Sequence, residues 1–238
     1  MKNIAIVLAA GKGSRMEINI EKQFMHIGGK PLMFYCLDTF EKSDVIDEVI
    51  LVTNKEHVDY VKKDVVEFFK FIKVSRVIAG GSERVYSVWE GLKAIRGREA
   101  NVFIHDSARP FIREDALKRL SVTVESTKAC VAAMPSKDTV KLSDENGYIK
   151  ETPKRDKVWI IQTPQVFENK LIYKAFEHML AAKTKEEIKQ VTDDAMVLEM
   201  SSEHPIKLVE SDYENIKVTT GEDVKIAETF LKKDTVFK

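Results

Sequence analysis

The chain has 238 residues, enough for one large α/β domain or two small ones with a sizeable core. Its 38 Lys and Arg balance its 38 Asp and Glu, which argues against a broad basic footprint for nucleic acid or an anionic membrane and leaves room for a local anion site. No apolar run approaches the ~20 residues of a membrane span, and a strand begins almost at once with no signal-peptide pattern, so a cytoplasmic protein is expected.

The first element is the most informative. The apolar run Ile4–Leu8 leads directly into Ala9-Ala10-Gly11-Lys12-Gly13-Ser14-Arg15-Met16, with Lys22 a short loop later. A strand that ends in a glycine-rich loop can offer backbone N–H groups from residues 9–13 to phosphates, and Arg15 and Lys22 can neutralise charge on a phosphorus centre. The dinucleotide fingerprint needs a third glycine where Met16 stands, and the Walker spacing is absent. A bare G-x-G is also an ordinary turn, and Lys22 alone reads as a solvated lysine. The two cations together favour phosphate chemistry, because a turn needs none.

Further along, apolar β-branched runs predict strands over 3–9, 47–53, 74–78, 101–105 and 129–134. Helical periods predict helices near 31–41, 56–71, 82–96, 113–126, 168–182 and 221–233, with Pro31 in a first turn and Ser82 as an N-cap. Strand and helix in alternation imply an α/β fold with a doubly wound, mostly parallel sheet. Cys36 and Cys130 lie in apolar segments without a C-x-x-C pair and read as buried thiols. The five histidines have no metal-ligand spacing.

After the third strand, Gly80-Gly81-Ser82-Glu83-Arg84-Val85-Tyr86-Ser87 combines two glycines with a helix start. It allows close approach of a planar ring, or is simply a turn and cap. His105-Asp106-Ser107-Ala108-Arg109-Pro110 ends the fourth strand, where ligands of open α/β sheets bind. There Asp106 and Arg109 can hold a metal, a hydroxyl or a phosphate, or pair with each other across the turn. Residues 136–157 are polar and short-period, and Asp144-Glu145-Asn146-Gly147 is a hairpin signal. This stretch is either a solvated excursion or an arm reaching a second subunit. Lys217 sits in the strand-like run Asn215-Ile216-Lys217-Val218-Thr219, where a charge needs either a waiting anion or a nearby Asp.

Taken in order, Leu8-Ala9-Ala10-Gly11-x-Gly13-x-Arg15-Met16 with Lys22-Gln23-Phe24, Gly80-Gly81-x-x-Arg84-x-x-Ser87, His105-Asp106-x-Ala108-Arg109-Pro110, Lys137-Asp138-Thr139-Val140-Lys141, Arg155-x-x-x-Trp159, Gln162-Thr163-Pro164-Gln165-x-Phe167, Thr192-Asp193-Asp194-Ala195 and Asn215-Ile216-Lys217-Val218-Thr219 resemble the 2-C-methyl-D-erythritol 4-phosphate cytidylyltransferases of non-mevalonate isoprenoid biosynthesis. The ordered set covers essentially the whole chain and is far more specific than any one motif.

The resemblance implies a Rossmann-like nucleotidyltransferase domain over 1–238 with a protruding β-hairpin arm at about 136–157. It implies attack of a sugar-alcohol phosphate on the α-phosphorus of CTP, with release of pyrophosphate and with magnesium bridging the triphosphate. Ala9, Ala10, Gly11, Gly13, Gly81, Ser82 and Ser87 are then expected to hold CTP, and Arg15 and Lys22 to stabilise the pentacovalent phosphorus. Asp106, Arg109, Thr139, Thr163 and Thr192 are expected to line the sugar-phosphate pocket, with Asp106 a candidate metal ligand. Arg155 and Lys217 would place the substrate phosphate, and the arm would clasp a second copy in a homodimer.

The first loop departs from the family pattern, which often has glycine after the methionine and proline before the lysine. Glu17 and Glu21 stand there instead, and Glu21 sets an anion beside Lys22, so a raised KM for CTP relative to Glu21→Pro is expected. A ribitol-5-phosphate cytidylyltransferase shares most of these motifs, and a non-catalytic nucleotide-binding module would share the fold. A dehydrogenase fails at Met16.

Overall fold

The computed structural model describes residues 1–11 and 22–236. Gly13, Arg15, Glu17 and Glu21 therefore lie outside the described residues, as does the side chain of Lys22.

In chain order the elements are β1 (Lys2–Ala9), a short hairpin of β2 (His26–Ile27) and β3 (Lys30–Pro31), α1 (Leu32–Lys42), β4 (Glu48–Thr53), α2 (Val58–Tyr60, continuing as a π-helical stretch Val61–Glu67), β5 (Val74–Ala79), α3 (Arg84–Ala94), β6 (Ala100–Asp106), α4 (Glu114–Thr127) and β7 (Ala129–Pro135). A second hairpin, β8 (Leu142–Ser143) and β9 (Ile149–Glu151), precedes β10 (Trp159–Glu168), α5 (Asn169–Ala182), α6 (Lys185–Lys189), α7 (Asp194–Ser201), β11 (Lys207–Glu210) and α8 (Gly221–Val236).

Seven strands form one sheet in the order β11-β7-β10-β6-β1-β4-β5, in which β10 alone runs antiparallel to its neighbours. Period-two geometry explains how one strand serves two cores. Ala5 and Val7 of β1 join Phe103, Leu51, Phe40 and Leu117 beneath α1 and α4. Ile4 and Ile6 join Ile104, Val88, Leu92 and Phe176 beneath α3 and α5. Both faces are covered, which is why β1, β4 and β6 read as continuous apolar runs. Close packing is tight at Gly91, where a Cβ would lie 2.6 Å from Ile6 Cγ2.

Progression along the sheet reverses at β1: β4 and β5 lie to one side, β6 to the other. Leu8 pairs with Asp106 across β1 and β6, so the first loop and the His105–Pro110 turn leave the sheet side by side at the switch point. A small third core of Ile27, Leu32, Val218 and Ala227 docks α8 against the hairpin β2–β3 and against the segment carrying Lys217.

The five expected strands and six expected helical regions are present with small shifts at their ends, and both cysteines are buried. Five details differ. Pro31 is the N-cap of α1, extended at ψ 144° at the end of β3, and so stands one residue before the first turn. The N-cap of α3 is Glu83, extended and without a side-chain cap bond, so Ser82 lies one residue outside. The 56–71 segment is not one α-helix but passes through 3-10, α and π turns. Residues 215–219 are irregular instead of a strand. The sequence pattern delimits neither strands β2, β3, β10 and β11 nor helices α6 and α7.

The hairpin signal holds: the Asp144 carboxylate accepts from the backbone N–H of Asn146 and of Tyr148, and Gly147 takes φ +84°. Residues 141–152 are all exposed, so the arm stands clear of the sheet.

Candidate active site

Two groups of side chains meet at the switch point. The first surrounds the start of the glycine loop. Gly80 N–H donates to the Thr53 carbonyl at 2.7 Å, and the Thr53 hydroxyl donates to the Ala9 carbonyl at 3.4 Å. A Cβ on Gly80 would fall 2.6 Å from Ser87 Oγ and 2.9 Å from Ala10 Cβ, so only glycine lets the two loops touch. Ser87 is buried, and its hydroxyl donates to the Glu83 carbonyl at 3.1 Å, which fixes the Gly80–Glu83 turn. Ala9, Ala10, Gly81 and Ser87 are thus brought together, while Gly11 and Ser82 are exposed at the rim.

The second group lines a cavity of about 240 Å³ between β6, β10, α3 and the 215–219 segment, bounded by Arg84, Asp106, Arg109, Thr163, Thr192 and Lys217 with Gln162, Gln165 and Asp193. Asp106 is its centre. Oδ1 accepts from Arg84 Nε at 3.1 Å, and Oδ2 accepts from Lys217 Nζ at 2.7 Å. Of the two partners its sequence context allows, Lys217 has the nearby aspartate. Burial pushes the Asp106 carboxyl upward, but the flanking Arg84 and Lys217 cations hold it well below the usual carboxylate range.

Arg84 is gripped from the other side by Asp194, whose two oxygens accept from Nη1 at 2.9 Å and Nη2 at 2.7 Å. Arg84 is desolvated, yet the two carboxylates raise its pKa further above the ordinary arginine value.

Of the two readings of this turn, the side-chain pair between Asp106 and Arg109 does not form. Arg109 N–H donates to the Asp106 carbonyl at 2.9 Å, but the guanidinium turns away, donating from Nη1 to the Asn215 carbonyl at 2.8 Å. Thr163 lies where the β10 ladder shifts register between Ile161 and Gln165. Its Oγ1 accepts from Asp106 N–H and faces His105 Nδ1, each at 3.1 Å, while His105 Nε2 meets the Arg109 carbonyl at 3.0 Å. Burial pushes the His105 imidazole down to about 4. The consistent arrangement is a neutral ring that accepts from the Thr163 hydroxyl and donates to the Arg109 carbonyl.

Asp106, Arg109, Thr163, Thr192 and Lys217 thus share one cavity. Thr139 and Arg155 do not line it: both are exposed, Thr139 before β8 and Arg155 in a short turn after β9. The motif pattern assigns no role to Arg84, Gln165 or Asp194, yet Arg84 and Gln165 line the cavity and Asp194 holds Arg84 from behind. Gln165 Oε1 accepts from the N–H groups of Asp194 and Ala195, and its Nε2 donates to Asp193. No local pattern links Arg84 to Asp194, which are 110 positions apart.

As a metal ligand, Asp106 is poorly placed, since both its oxygens already face cations. Among the described residues no group of three or more His, Cys, Asp or Glu could hold an ion, and no helix is long and apolar enough to cross a membrane.

The family model IspD, described as 2-C-methyl-D-erythritol 4-phosphate cytidylyltransferase, matches residues 3–233. A protein of that name from Lachnospira eligens is 46% identical over 230 residues, spanning 97% of this chain and 99% of its own length. The crystal structure of a 4-diphosphocytidyl-2C-methyl-D-erythritol synthase from Anaerococcus prevotii superposes with a TM-score of 0.84 at 35% identity, covering 97% of this chain and 96% of that one. The Francisella tularensis cytidylyltransferase structure gives a TM-score of 0.77 at 29% identity, covering 95% and 98%. With its motifs in order, its fold shared and its full length matched, the chain belongs to the 2-C-methyl-D-erythritol 4-phosphate cytidylyltransferase family.

Proposed function

We infer that the chain transfers CMP from CTP to 2-C-methyl-D-erythritol 4-phosphate, giving 4-diphosphocytidyl-2-C-methyl-D-erythritol and pyrophosphate. The observation that carries this reading is the cavity in which Asp106, Lys217, Arg109 and Arg84 converge, at the same sheet end as the Ala9–Gly11 loop. An oxygen of the substrate phosphate attacks the α-phosphorus, a new P–O bond forms, and the bond to the β-phosphate bridge breaks. A phosphate monoester is already an anionic nucleophile, so no general base is needed. The barrier lies in bringing two anions together, and fixed cations lower it.

In this reading the Gly80–Ser87 turn and the Ala9–Gly11 backbone hold the nucleotide. Asp106 accepts from the polyol hydroxyls, and Lys217 and Arg109 receive the phosphate. Arg15 and Lys22 would answer the charge that builds at the α-phosphorus. Magnesium is proposed to arrive with CTP, held by its phosphates, where it would neutralise triphosphate charge.

The arm is proposed to clasp a second copy of the chain. This would carry the exposed Thr139 and Arg155 toward the partner's pocket, and the apolar Tyr148 and Ile149 on the exposed hairpin support that reading. Pyrophosphate release tests the function, with CTP and magnesium and either methylerythritol 4-phosphate or ribitol 5-phosphate. Release with the first and little with the second is expected. Preference for ribitol phosphate would keep the chemistry and overturn the substrate, and silence with both would favour a nucleotide-binding module.

A further inference from the structure

Asp194 is a fully buried carboxylate that the proposed chemistry does not use. It is 1% exposed, yet it points at the wall of the substrate cavity and takes both terminal nitrogens of Arg84. Its backbone is pinned as well, because Gln165 Oε1 accepts from the N–H groups of Asp194 and Ala195. A carboxylate so placed cannot lose its cation without a large desolvation penalty, so Arg84 is held from behind. Two contacts to one planar fork also fix the direction of the third nitrogen. That nitrogen, Nε, meets Asp106 Oδ1.

The result is a chain of alternating charge, Asp194–Arg84–Asp106–Lys217, rigid at one end and free at the other. The Lys217 side chain is 43% exposed against 27% for Arg84, and it leaves an irregular segment instead of a helix. Only Lys217 can readily change partner. Were Asp106 paired with Lys217 alone, its full negative charge would hold that ammonium and compete with an incoming phosphate.

We propose that Arg84, anchored by Asp194, is a positioning residue for the substrate phosphate: it occupies one oxygen of Asp106 and thereby leaves Lys217 free to exchange its carboxylate partner for the phosphate. The proposal rests on the function inferred above. It gives the half-buried Arg84 and its buried partner Asp194 a role in the affinity for the sugar-alcohol phosphate, distinct from nucleotide binding.

A double-mutant cycle tests it. Arg84→Gln alone strands a buried carboxylate and can unfold the protein, so the substitution is made together with Asp194→Asn, which leaves two amides able to bond each other. This pair is placed in the wild-type protein and in the Asp106→Asn background, and KM is measured for both substrates alongside thermal melting. In the wild-type protein the pair is expected to raise KM for methylerythritol 4-phosphate by about tenfold, corresponding to a loss of ~1.4 kcal/mol, with KM for CTP held within about twofold. In the Asp106→Asn background the same pair is expected to change KM by less than about twofold, because the charge it restrains is gone. If Asp106→Asn turns over too slowly, the cycle is read from calorimetric binding of the same phosphate ester.

Equal effects in both backgrounds would overturn the proposal, as would a parallel rise in KM for CTP or a fall in melting temperature with both KM values unchanged. Wild-type protein that releases no pyrophosphate with this substrate would instead overturn the inferred function, and this proposal with it.

Discussion

Asn215 donates from Nδ2 to the Thr163 carbonyl at 2.9 Å and to Gln162 Oε1 at 3.0 Å, joining segments more than 50 residues apart. Asn215 is wholly buried, and its own carbonyl receives Arg109 Nη1. Two residues later Lys217 meets Asp106, and then Val218 N–H donates to the Ala108 carbonyl. An irregular stretch without ladder bonds is thus held against β10 and the 106–109 turn by one carboxamide and two backbone contacts. Lys217 inherits its position from that anchor.

Asn215→Ala is therefore expected to act on stability and on the cavity together. It strands buried acceptors and removes packing, at a penalty of about 2 kcal/mol, which lowers Tm by roughly 4–8 °C in a chain of this size. KM for the sugar-alcohol phosphate should rise more than KM for CTP, because the loops proposed to hold the nucleotide lie on the other side of the switch point. Thermal melting and two-substrate kinetics check this; an unchanged Tm would show that the carboxamide contributes nothing.

Gly80→Ala should do the reverse. The added Cβ meets Ser87 Oγ and Ala10 Cβ well inside contact distance, so the two loops proposed to hold the nucleotide must part. Overpacking of this kind costs about 1–3 kcal/mol, and KM for CTP should rise with little change for the second substrate. Gly221→Ala is the control, since a Cβ there meets nothing within 4 Å and the site opens α8. If both substitutions leave KM for CTP alone, the Gly80 contact does not shape the nucleotide site.

Much of this molecule is legible in its sequence because the signals are local. β1 announces itself by an unbroken apolar run, and the arm by Asp144 and Gly147 around a turn. Asp106 and Lys217 can each be singled out, one by its place at a strand end and the other by an apolar context. Their mutual contact cannot, since 111 positions separate them. The same holds for Arg84, whose partners come from the end of β6 and the start of α7. β10 escaped clear delimitation because a register shift between Ile161 and Gln165 breaks its alternation, and polar Gln162 and Thr163 are buried there to build the cavity. The 215–219 segment misled by composition: Val218 is buried against α8 and Ile27, not within a sheet.

The arm yields a prediction about assembly. Tyr148 and Ile149 are 73% and 67% exposed on a hairpin otherwise rich in charge, which is unusual for a segment that meets only water. The proposed clasp predicts that Tyr148→Ser with Ile149→Ser shifts the protein from dimer to monomer in analytical ultracentrifugation, with far-UV circular dichroism unchanged. A wild-type protein that sediments as a monomer at all concentrations would refute the clasp, and a variant that stays dimeric would move the interface elsewhere.

The His105 ring supplies a pH dependence with a definite sign. It is fully buried, edge-on to Phe40, with both nitrogens engaged. Burial pushes its pKa down to about 4 in the folded protein, against about 6.5 in an unfolded chain. As pH falls below ~6.5 the unfolded chain takes up a proton that the folded protein refuses. The folded state therefore keeps its full stability above that pH and loses it progressively until about pH 4, by roughly 3 kcal/mol in all. Carboxylates held low, such as Glu48 at about 2 beside Arg98, begin to act only near pH 4.5 and exert most of their effect below this window. Denaturant titrations at pH 7.5 and 4.5 should thus show a loss in the wild-type protein that is largely absent in His105→Gln. An equal loss in both would assign the acid sensitivity to other groups.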